Sequence, residues 1–227
     1  MKINFYPPSK QANGNFNFGE IVEKKPIGFP QDGGQLKPFS NLFYWAHAWT
    51  TGKRSTIGLH PHQGFEICTF VLRGSINHFD TKLNKWVRLD EGDVQIIRSG
   101  NGISHSEEIL ENSEIFQIWF DPDLSKSLKK PASYNDYKID EFKFTDSDDH
   151  MIRHIHNKKS KMWMDSEDIV INEYFFDKFS SVNIKIENDK IHSFFLIDGE
   201  VSLKKFKFNK GDFFTISNVR NIDVVAL

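Results

Sequence analysis

The chain has 227 residues, of which 38% are hydrophobic and 26% charged, a composition typical of a folded protein. Its net charge of −2 provides no basic field, so we expect no direct nucleic-acid partner and no membrane-surface partner. The single cysteine, Cys68, excludes an internal disulfide and a cysteine-rich zinc module, and the absence of a long apolar run predicts a soluble, cytoplasmic protein.

The first part of the chain, residues 1 to about 40, is rich in Gly, Pro, Asn and Lys, which predicts loops and short strands. Residues 43–49 are strongly aromatic and are bounded by turn residues, a pattern typical of a buried strand. This strand contains His47. We expect it to be a core histidine satisfied by a hydrogen bond, because no second donor accompanies it at ligand spacing.

Residues 56–120 are predicted to form a series of short strands, because segments rich in Val, Ile, Phe and Trp alternate with turn residues. No helical period of useful length interrupts them. Short strands at this spacing predict an antiparallel sandwich or barrel. The predicted strands are residues 65–72, 75–79, 85–89, 93–98 and 114–120.

Two histidines in this region, His60 and His62, are separated by a single residue. Side chains at i and i+2 of a strand point to the same face, so both imidazoles can reach one metal ion. Pro61 between them fixes φ and removes a backbone donor, which suits a strand end or edge. The pair predicts half of a metal site and requires further ligands elsewhere in the chain.

A second pair at the same spacing, His105 and Glu107, follows a glycine-rich turn. In a small barrel the two pairs could face one interior and supply three imidazoles and one carboxylate. Such donors suit Fe, Mn, Ni, Cu or Zn better than Mg or Ca, which prefer oxygen ligands. Glu66, shortly after His62, could be a ligand or could orient a ligating imidazole. We favour the second role, because four better-paired donors exist.

Several motifs between residues 54 and 122 resemble the pirin family of bicupins. They are His-Pro-His-Gln-Gly-Phe-Glu-Ile at 60–67, Val-Leu-Arg-Gly-Ser at 71–75, Gly-Asp-Val-Gln-Ile at 92–96, Ser-Gly-Asn-Gly-Ile-Ser-His-Ser-Glu at 99–107 and Gln-Ile-Trp at 117–119. The resemblance implies a metal-binding cupin domain over residues 1–122. It also implies His60, His62, His105 and Glu107 as ligands of one divalent transition metal, iron first, with Mn, Ni, Cu or Zn as alternatives.

The resemblance implies two alternative functions. In the first, a quercetin 2,3-dioxygenase-type enzyme adds O₂ to a flavonol-like or other enolic small molecule, with Glu107 or Glu66 accepting the substrate proton. In the second, a non-enzymatic metal-sensing and redox-sensing protein contacts a protein partner as a transcription cofactor or regulatory module. Fold and metal site are common to both alternatives, so they do not decide between them.

Residues 123–165 are strongly polar and are predicted to be a linker with a few short elements. Within them His154 and His156 repeat the spacing of the first histidine pair. Basic residues flank this pair, however, and no second pair follows it. We therefore expect a surface strand or loop at His154 and His156, and no second metal site.

The β pattern resumes over residues 166–227 and contains an internal repeat. Phe-Leu-Ile-Asp-Gly-Glu-Val at 195–201 resembles Phe-Val-Leu-Arg-Gly-Ser-Ile at 70–76, and Lys-Gly-Asp-Phe at 210–213 resembles Glu-Gly-Asp-Val at 91–94. Extending this alignment places Lys185, Glu187, Val224 and Ala226 at the four ligand positions. We therefore predict an all-β protein of two tandem cupin-type (jelly-roll) barrels, the second degenerate and without metal ligands.

Overall fold

The structure, a computed structural model, describes residues 1–227, and its regular elements are almost all strands. The first twelve are β1 (Lys2–Tyr6), β2 (Ala12–Phe16), β3 (Ile21–Ile27), β4 (Leu42–Thr50), β5 (Ser55–His62), β6 (Glu66–Arg73), β7 (Ser75–Asp80), β8 (Trp86–Asp90), β9 (Val94–Arg98), β10 (Ile103–Ile109), β11 (Glu114–Phe120) and β12 (Ser133–Tyr137). The remaining strands are β13 (Lys143–Ser147), β14 (His150–His156), β15 (Ile171–Phe176), β16 (Ser181–Lys185), β17 (His192–Phe195), β18 (Glu200–Leu203), β19 (Phe206–Asn209), β20 (Phe213–Ser217) and β21 (Asn221–Ala226).

Helical structure is limited to one short α-helix, α1 (Leu124–Ser127), and four 3₁₀ turns. The turns are Pro8–Lys10, Asn17–Gly19, Pro30–Asp32 and Ile139–Glu141. None of these helices has the length and apolar composition that crossing a bilayer would require.

The chain divides into two compact units. The larger unit comprises Gln11–Phe142 and His156–Val170, and the smaller unit comprises Met1–Lys10, Lys143–Ile155 and Ile171–Leu227. This division differs from the expected domains 1–122 and 166–227 with a linker at 123–165. Much of the expected linker forms strands, because β12 pairs with β9 and β13 pairs with β14. Both β12 and β13 are edge strands with mostly solvent-accessible side chains, which gives them the polar composition of a linker.

The larger unit is a sandwich of two antiparallel sheets. One has seven strands in the order β12-β9-β6-β11-β4-β3-β2, and the other has four in the order β5-β10-β7-β8. Strand β4 alternates strictly between buried and half-buried side chains, as expected of a strand with one face in a core. Strands β2 and β3 extend the large sheet, so the N-terminal region is more regular than the sequence predicts. Apolar side chains from both sheets form the core: Ile21, Ala48, Val71, Ile76, Leu89, Ile109 and Ile115.

The smaller unit is also made of β-sheets, in which β20 pairs antiparallel with β1 and β17, and β21 with β16 and β18. Its sheets have the strand orders β1-β20-β17, β13-β14-β15 and β16-β21-β18-β19. Its core is aromatic at the centre, where Phe208 and Phe214 stack with ring centroids 3.9 Å apart and Phe194 stacks on Phe214 at 5.1 Å. Stacked aromatic pairs of this kind add to the stabilisation from burial of their surface.

The predicted internal repeat is visible in the backbone of the two units. The turns at Gly92 and Gly211 have φ of 85° and 87°, a left-handed conformation that favours glycine. In each turn the glycine N–H donates a 2.8 Å hydrogen bond to the carbonyl of an earlier residue, Val71 in the first turn and Leu196 in the second. Asp93 and Asp212 then each accept a backbone N–H from three residues before, at 2.8 and 2.7 Å. The all-β tandem architecture is therefore confirmed, whereas the loss of metal ligands from the second copy stays a prediction.

Candidate metal centre

The candidate site lies on three neighbouring strands of the four-stranded sheet, with β10 between β5 and β7. The strand register places His105 opposite His60 on one side and opposite Asp80 on the other. Glu107 is opposite His78. Because alternate residues of a strand share a face, each strand contributes one i, i+2 pair to the site. The pairs are His60 and His62, His105 and Glu107, and His78 and Asp80.

Three imidazoles come together as predicted, and we call His60, His62 and His105 the outer group. One ligand atom of each lies within 4.8 Å of the others. Nε2 of His62 is 3.0 Å from Nε2 of His105, the spacing of adjacent ligands that are each about 2.1 Å from one metal ion. Nδ1 of His60 donates to the Gly58 carbonyl at 2.8 Å, which leaves Nε2 available as a ligand. His60 and His62 are partly exposed, whereas His105 is buried.

The fourth predicted ligand, Glu107, is buried and held by a chain of side-chain hydrogen bonds. Nε2 of Gln117 donates to both carboxylate oxygens, at 2.9 and 2.7 Å, and Oε1 of Gln117 accepts from Nε1 of Trp119 at 3.1 Å. One carboxylate oxygen of Glu107 lies within 4.8 Å of a ring nitrogen of His78 and of a ring nitrogen of His105. We call His78, His105 and Glu107 the inner group. Glu107 is therefore linked to the outer group through His105, which the two groups share.

His78 and Asp80, which were not predicted as site residues, are both fully buried beside the predicted ligands. Nε2 of His78 is 3.1 Å from Oδ2 of Asp80, and Oδ1 of Asp80 accepts the backbone N–H groups of Lys82 and Leu83 at 2.7 Å each. Burial would raise the pKa of Asp80, but the hydrogen bonds from His78 and from the two backbone groups lower it overall. Their spacing in the sequence could have identified them, because His78 and Asp80 repeat the i, i+2 pattern of the other two pairs.

Two imidazoles of the outer group, those of His62 and His105, are held in their neutral form. Burial, reinforced by the neighbouring imidazoles, lowers the pKa of His62 to about 3 and the pKa of His105 to about 2. A histidine binds a metal through a neutral ring nitrogen, so neither side chain must lose a proton to act as a ligand at neutral pH. Neutral imidazoles and a carboxylate are a donor set that fits a divalent transition metal.

Half-buried aromatic side chains lie against one side of His62. The His62 ring is 5.3 Å from the ring of Phe65 and 5.2 Å from that of Trp119, and the last two are stacked 5.0 Å apart. Phe43 contacts both edge-on, at 5.3 and 5.9 Å. We call Phe43, Phe65 and Trp119 the aromatic wall. It gives the partly exposed His62 an apolar, aromatic border.

Glu66 does not join the site, which corrects both expected roles for it, the orientation of an imidazole and the acceptance of a substrate proton. Its Oε1 accepts the backbone N–H of Asp165 at 2.7 Å, and its Oε2 accepts that of Ser166 at 2.8 Å. Strand β5 ends at His62, and the chain turns through Gly64, with φ of 90°, before β6 begins. The alternation of faces along one strand therefore does not extend from His62 to Glu66.

Replacing Glu66 by Gln should destabilise the larger unit and leave its metal content unchanged. The amide retains one acceptor oxygen but turns an NH₂ group towards a buried backbone N–H, which loses its acceptor. An unpaired buried donor of this kind lowers the free energy of unfolding by about 1–3 kcal/mol. Urea denaturation measures the stability and elemental analysis the metal. Loss of metal at unchanged stability would contradict this assignment.

The other histidines singled out in the sequence lie outside both groups. His154 is buried rather than on the surface, and its ring nitrogens are 2.7 Å from Oγ1 of Thr145 and 3.3 Å from Oδ1 of Asn172. His156 donates Nδ1–H to the Met162 carbonyl at 2.9 Å. Nε2 of His47 lies 3.5 Å from a carboxylate oxygen of a neighbouring strand. These rings are engaged in polar contacts within the fold.

Comparison with known proteins identifies related sequences over the larger unit. Residues 21–120 match the protein family described as Pirin. The quercetin 2,3-dioxygenase of Escherichia coli K12 is 41% identical over 69 residues, which are 29% of this chain and 29% of that protein. A pirin-like protein of Caulobacter vibrioides is 48% identical over 65 residues, 28% of each chain. The matched segment therefore spans less than a third of these curated relatives.

Solved structures resemble nearly the whole chain. The match to the crystal structure of GK1651 from Geobacillus kaustophilus covers 99% of this chain and 90% of the GK1651 chain, with a TM-score of 0.79 and 17% sequence identity. The match to YhhW from Escherichia coli, in complex with nickel(II), covers 99% of this chain and 94% of the YhhW chain, with a TM-score of 0.71 and 18% sequence identity. A quercetin 2,3-dioxygenase from Acinetobacter baumannii has a TM-score of 0.76 at 15% identity, over 99% of this chain and 75% of its own. At such identities the likeness is one of fold.

Proposed function

From the match of residues 21–120 to the family described as Pirin, we propose that the chain is a pirin-like, metal-dependent oxidoreductase of the quercetin 2,3-dioxygenase type. In this proposal His60, His62, His105 and Glu107 hold one divalent transition metal, with iron as the first expectation and Mn, Ni, Cu or Zn as alternatives. The observation that carries it is the outer group, in which the partly exposed His62 lies directly beside the aromatic wall and the partly exposed His60 contacts His62.

The proposed substrate is a flavonol-like or other enolic small molecule. Phe65 and Trp119 present stacked rings within about 5 Å of His62, a surface on which a planar aromatic molecule can pack. Relatives that carry the name quercetin 2,3-dioxygenase, from Escherichia coli and Acinetobacter baumannii, support the same substrate class. The aromatic wall would hold the rings, and the exposed side of His60 and His62 would receive the oxygen atoms of the enol.

The side chains around the site have separate tasks in this proposal. When bound, the metal supplies a Lewis acid and a redox centre for the reaction between an enol and O₂. His60 is fixed in orientation by its hydrogen bond to Gly58, and Glu107 by Gln117. With Glu66 engaged elsewhere, we assign acceptance of the substrate hydroxyl proton to Glu107 alone, since a general base must lie within hydrogen-bond reach of that proton.

We expect the metal-loaded protein to consume O₂ when it is given quercetin or a related enol, and the metal-free protein to consume none. An oxygen electrode measures the uptake over a panel of flavonols and simpler enols, with iron-, manganese- and nickel-loaded samples in parallel. The variant Phe65→Leu is the matched control for the wall, because it removes a stacked ring and keeps every metal donor. It should raise KM for quercetin and retain the metal.

The oxygen assay also discriminates between the two alternatives that share this site. If no flavonol or enol supports O₂ uptake above that of the metal-free protein, the dioxygenase proposal fails. A metal-sensing and redox-sensing protein with a protein partner would then explain the same metal-binding residues better.

A further inference from the structure

His78 has the hydrogen bonding of a metal ligand. Asp80 uses Oδ1 to accept two backbone N–H groups, and its Oδ2 lies 3.1 Å from Nε2 of His78. A carboxylate can only accept, so Nε2 of His78 carries the hydrogen and Nδ1 carries the lone pair. Histidines that bind metals in proteins commonly donate their second ring N–H to a carboxylate in this way, which fixes the tautomer and the ring orientation.

Two nitrogens of the inner group are buried without a hydrogen-bond partner. They are Nδ1 of His78 and Nδ1 of His105. Buried polar atoms without a partner are rare in folded proteins, and each needs a physical explanation. The inner group also includes Glu107, whose two oxygens retain lone pairs beyond the hydrogen bonds from Gln117. One ligand atom from each of His78, His105 and Glu107 lies within 4.8 Å of the others.

We propose that the inner group of His78, His105 and Glu107 is a second position for a divalent transition metal. It lies deeper than the outer group, because its three members are at most 1% exposed whereas two of the outer histidines are partly exposed. The proposal rests on the proposed function only in that His105 and Glu107 take part in both. Two imidazoles and a carboxylate are a donor set found in transition-metal sites that keep an open coordination position.

The two positions are alternatives, because His105 has one lone pair to offer. Its Nε2 faces Nε2 of His62 at 3.0 Å, and its Nδ1 is the buried atom without a partner. A neutral imidazole has one N–H and one lone-pair nitrogen. His105 therefore binds through Nε2 in the outer position, or through Nδ1 in the inner position while Nε2–H donates to His62. Each chain then holds one metal ion, and a metal in the inner position is withdrawn from the exposed side of the site.

Cobalt(II) binding by the full chain tests this inference, with elemental analysis and the visible absorption of bound Co²⁺ as measurements. The double variant His60→Ala/His62→Ala removes two outer ligands and leaves the inner group intact. We expect it to bind one Co²⁺ per chain with an absorption spectrum that differs from the wild-type spectrum. Adding His78→Gln, whose amide can still donate to Asp80, should abolish binding. Glu107→Gln in the same background is a second, independent removal of an inner ligand.

The matched control is His154→Ala/His156→Ala, which removes a histidine pair of the same spacing and should keep the wild-type content and spectrum. A folded His60→Ala/His62→Ala protein without Co²⁺ would overturn the inner position, while Co²⁺ binding by the wild type would still support the outer metal position of the proposed function. Retention of Co²⁺ after either added substitution would also overturn it, because the ion would then be bound elsewhere. Two Co²⁺ per wild-type chain would overturn the alternation, and a wild-type chain without Co²⁺ would overturn both proposals.

Discussion

Replacing His105 by Ala should remove nearly all bound metal, the largest loss expected of any single substitution in the site. His105 is the side chain that the outer and the inner group share, and it alone links Glu107 to the outer group. Its removal therefore leaves two imidazoles in the outer group and one imidazole with a carboxylate in the inner group. Transition-metal sites in proteins normally use three or four protein ligands, and two imidazoles or one imidazole with a carboxylate fall short of that number. Elemental analysis after purification, and again after Co²⁺ loading, measures the loss.

Two further variants give the scale for this loss. His62→Ala removes a ligand of the outer group alone and should lower the metal content less than His105→Ala does. His156→Ala removes an imidazole that is hydrogen-bonded to the Met162 carbonyl and should leave the metal content unchanged. Circular dichroism shows whether each variant is folded. Full metal content in a folded His105→Ala protein would disprove the proposed centre.

The strands around the site were predictable because their signals are local. The predicted strands 75–79, 93–98 and 114–120 agree within one residue at each end with β7, β9 and β11. Alternating apolar side chains and left-handed glycine turns mark these strands, and both signals act over a few residues. The repeat of the turn at Gly92 in the turn at Gly211 belongs to the same class of signal, and it predicted the tandem architecture.

The boundaries of the two units depend on pairing between distant residues and could not be predicted in the same way. Strand β1 pairs with β20, so that Lys2 is opposite Ser217 and the first ten residues belong to the smaller unit. Their composition is that of a loop-rich segment. A short strand becomes identifiable only when its partner is known, because pairing and packing, more than intrinsic propensity, decide whether it forms.

For the site, too, the positions that depend on local spacing were predictable, and those that depend on contacts between distant residues were not. Spacing on a strand correctly predicted that His60 and His62 share a face and that His105 joins them. The same rule failed for Glu66, because the turn at Gly64 separates it from the strand of His62. The importance of His78 depends on its cross-strand position opposite Glu107, which spacing along a single strand does not give. Counting residues finds pairs, whereas strand register decides which pairs meet.

Acidification should destabilise the metal-free protein steeply below neutral pH. The pKa of His105 is about 2 in the fold, against about 6.5 for an unperturbed histidine in the unfolded chain. Between these values the unfolded chain binds a proton that the folded protein does not, so the free energy of unfolding falls as the pH falls. His105 alone contributes about 1 kcal/mol per pH unit well below pH 6.5. His62, with its pKa lowered to about 3, acts in the same direction, but less strongly because it is partly exposed.

The variant His105→Leu isolates this contribution, since leucine occupies the buried position without a titratable group. Urea denaturation of both metal-free proteins from pH 7 to pH 4.5 should give a slope of stability against pH that is smaller in the variant by about 1 kcal/mol per unit. Metal should protect the wild type over the same range, because an ion bound to the folded state must be displaced before the protein unfolds. Equal slopes of stability against pH for the two metal-free proteins would contradict this prediction. They would mean that His105 takes up a proton as readily in the folded protein as in the unfolded chain, so that its imidazole is not held in the neutral form on which both metal positions depend.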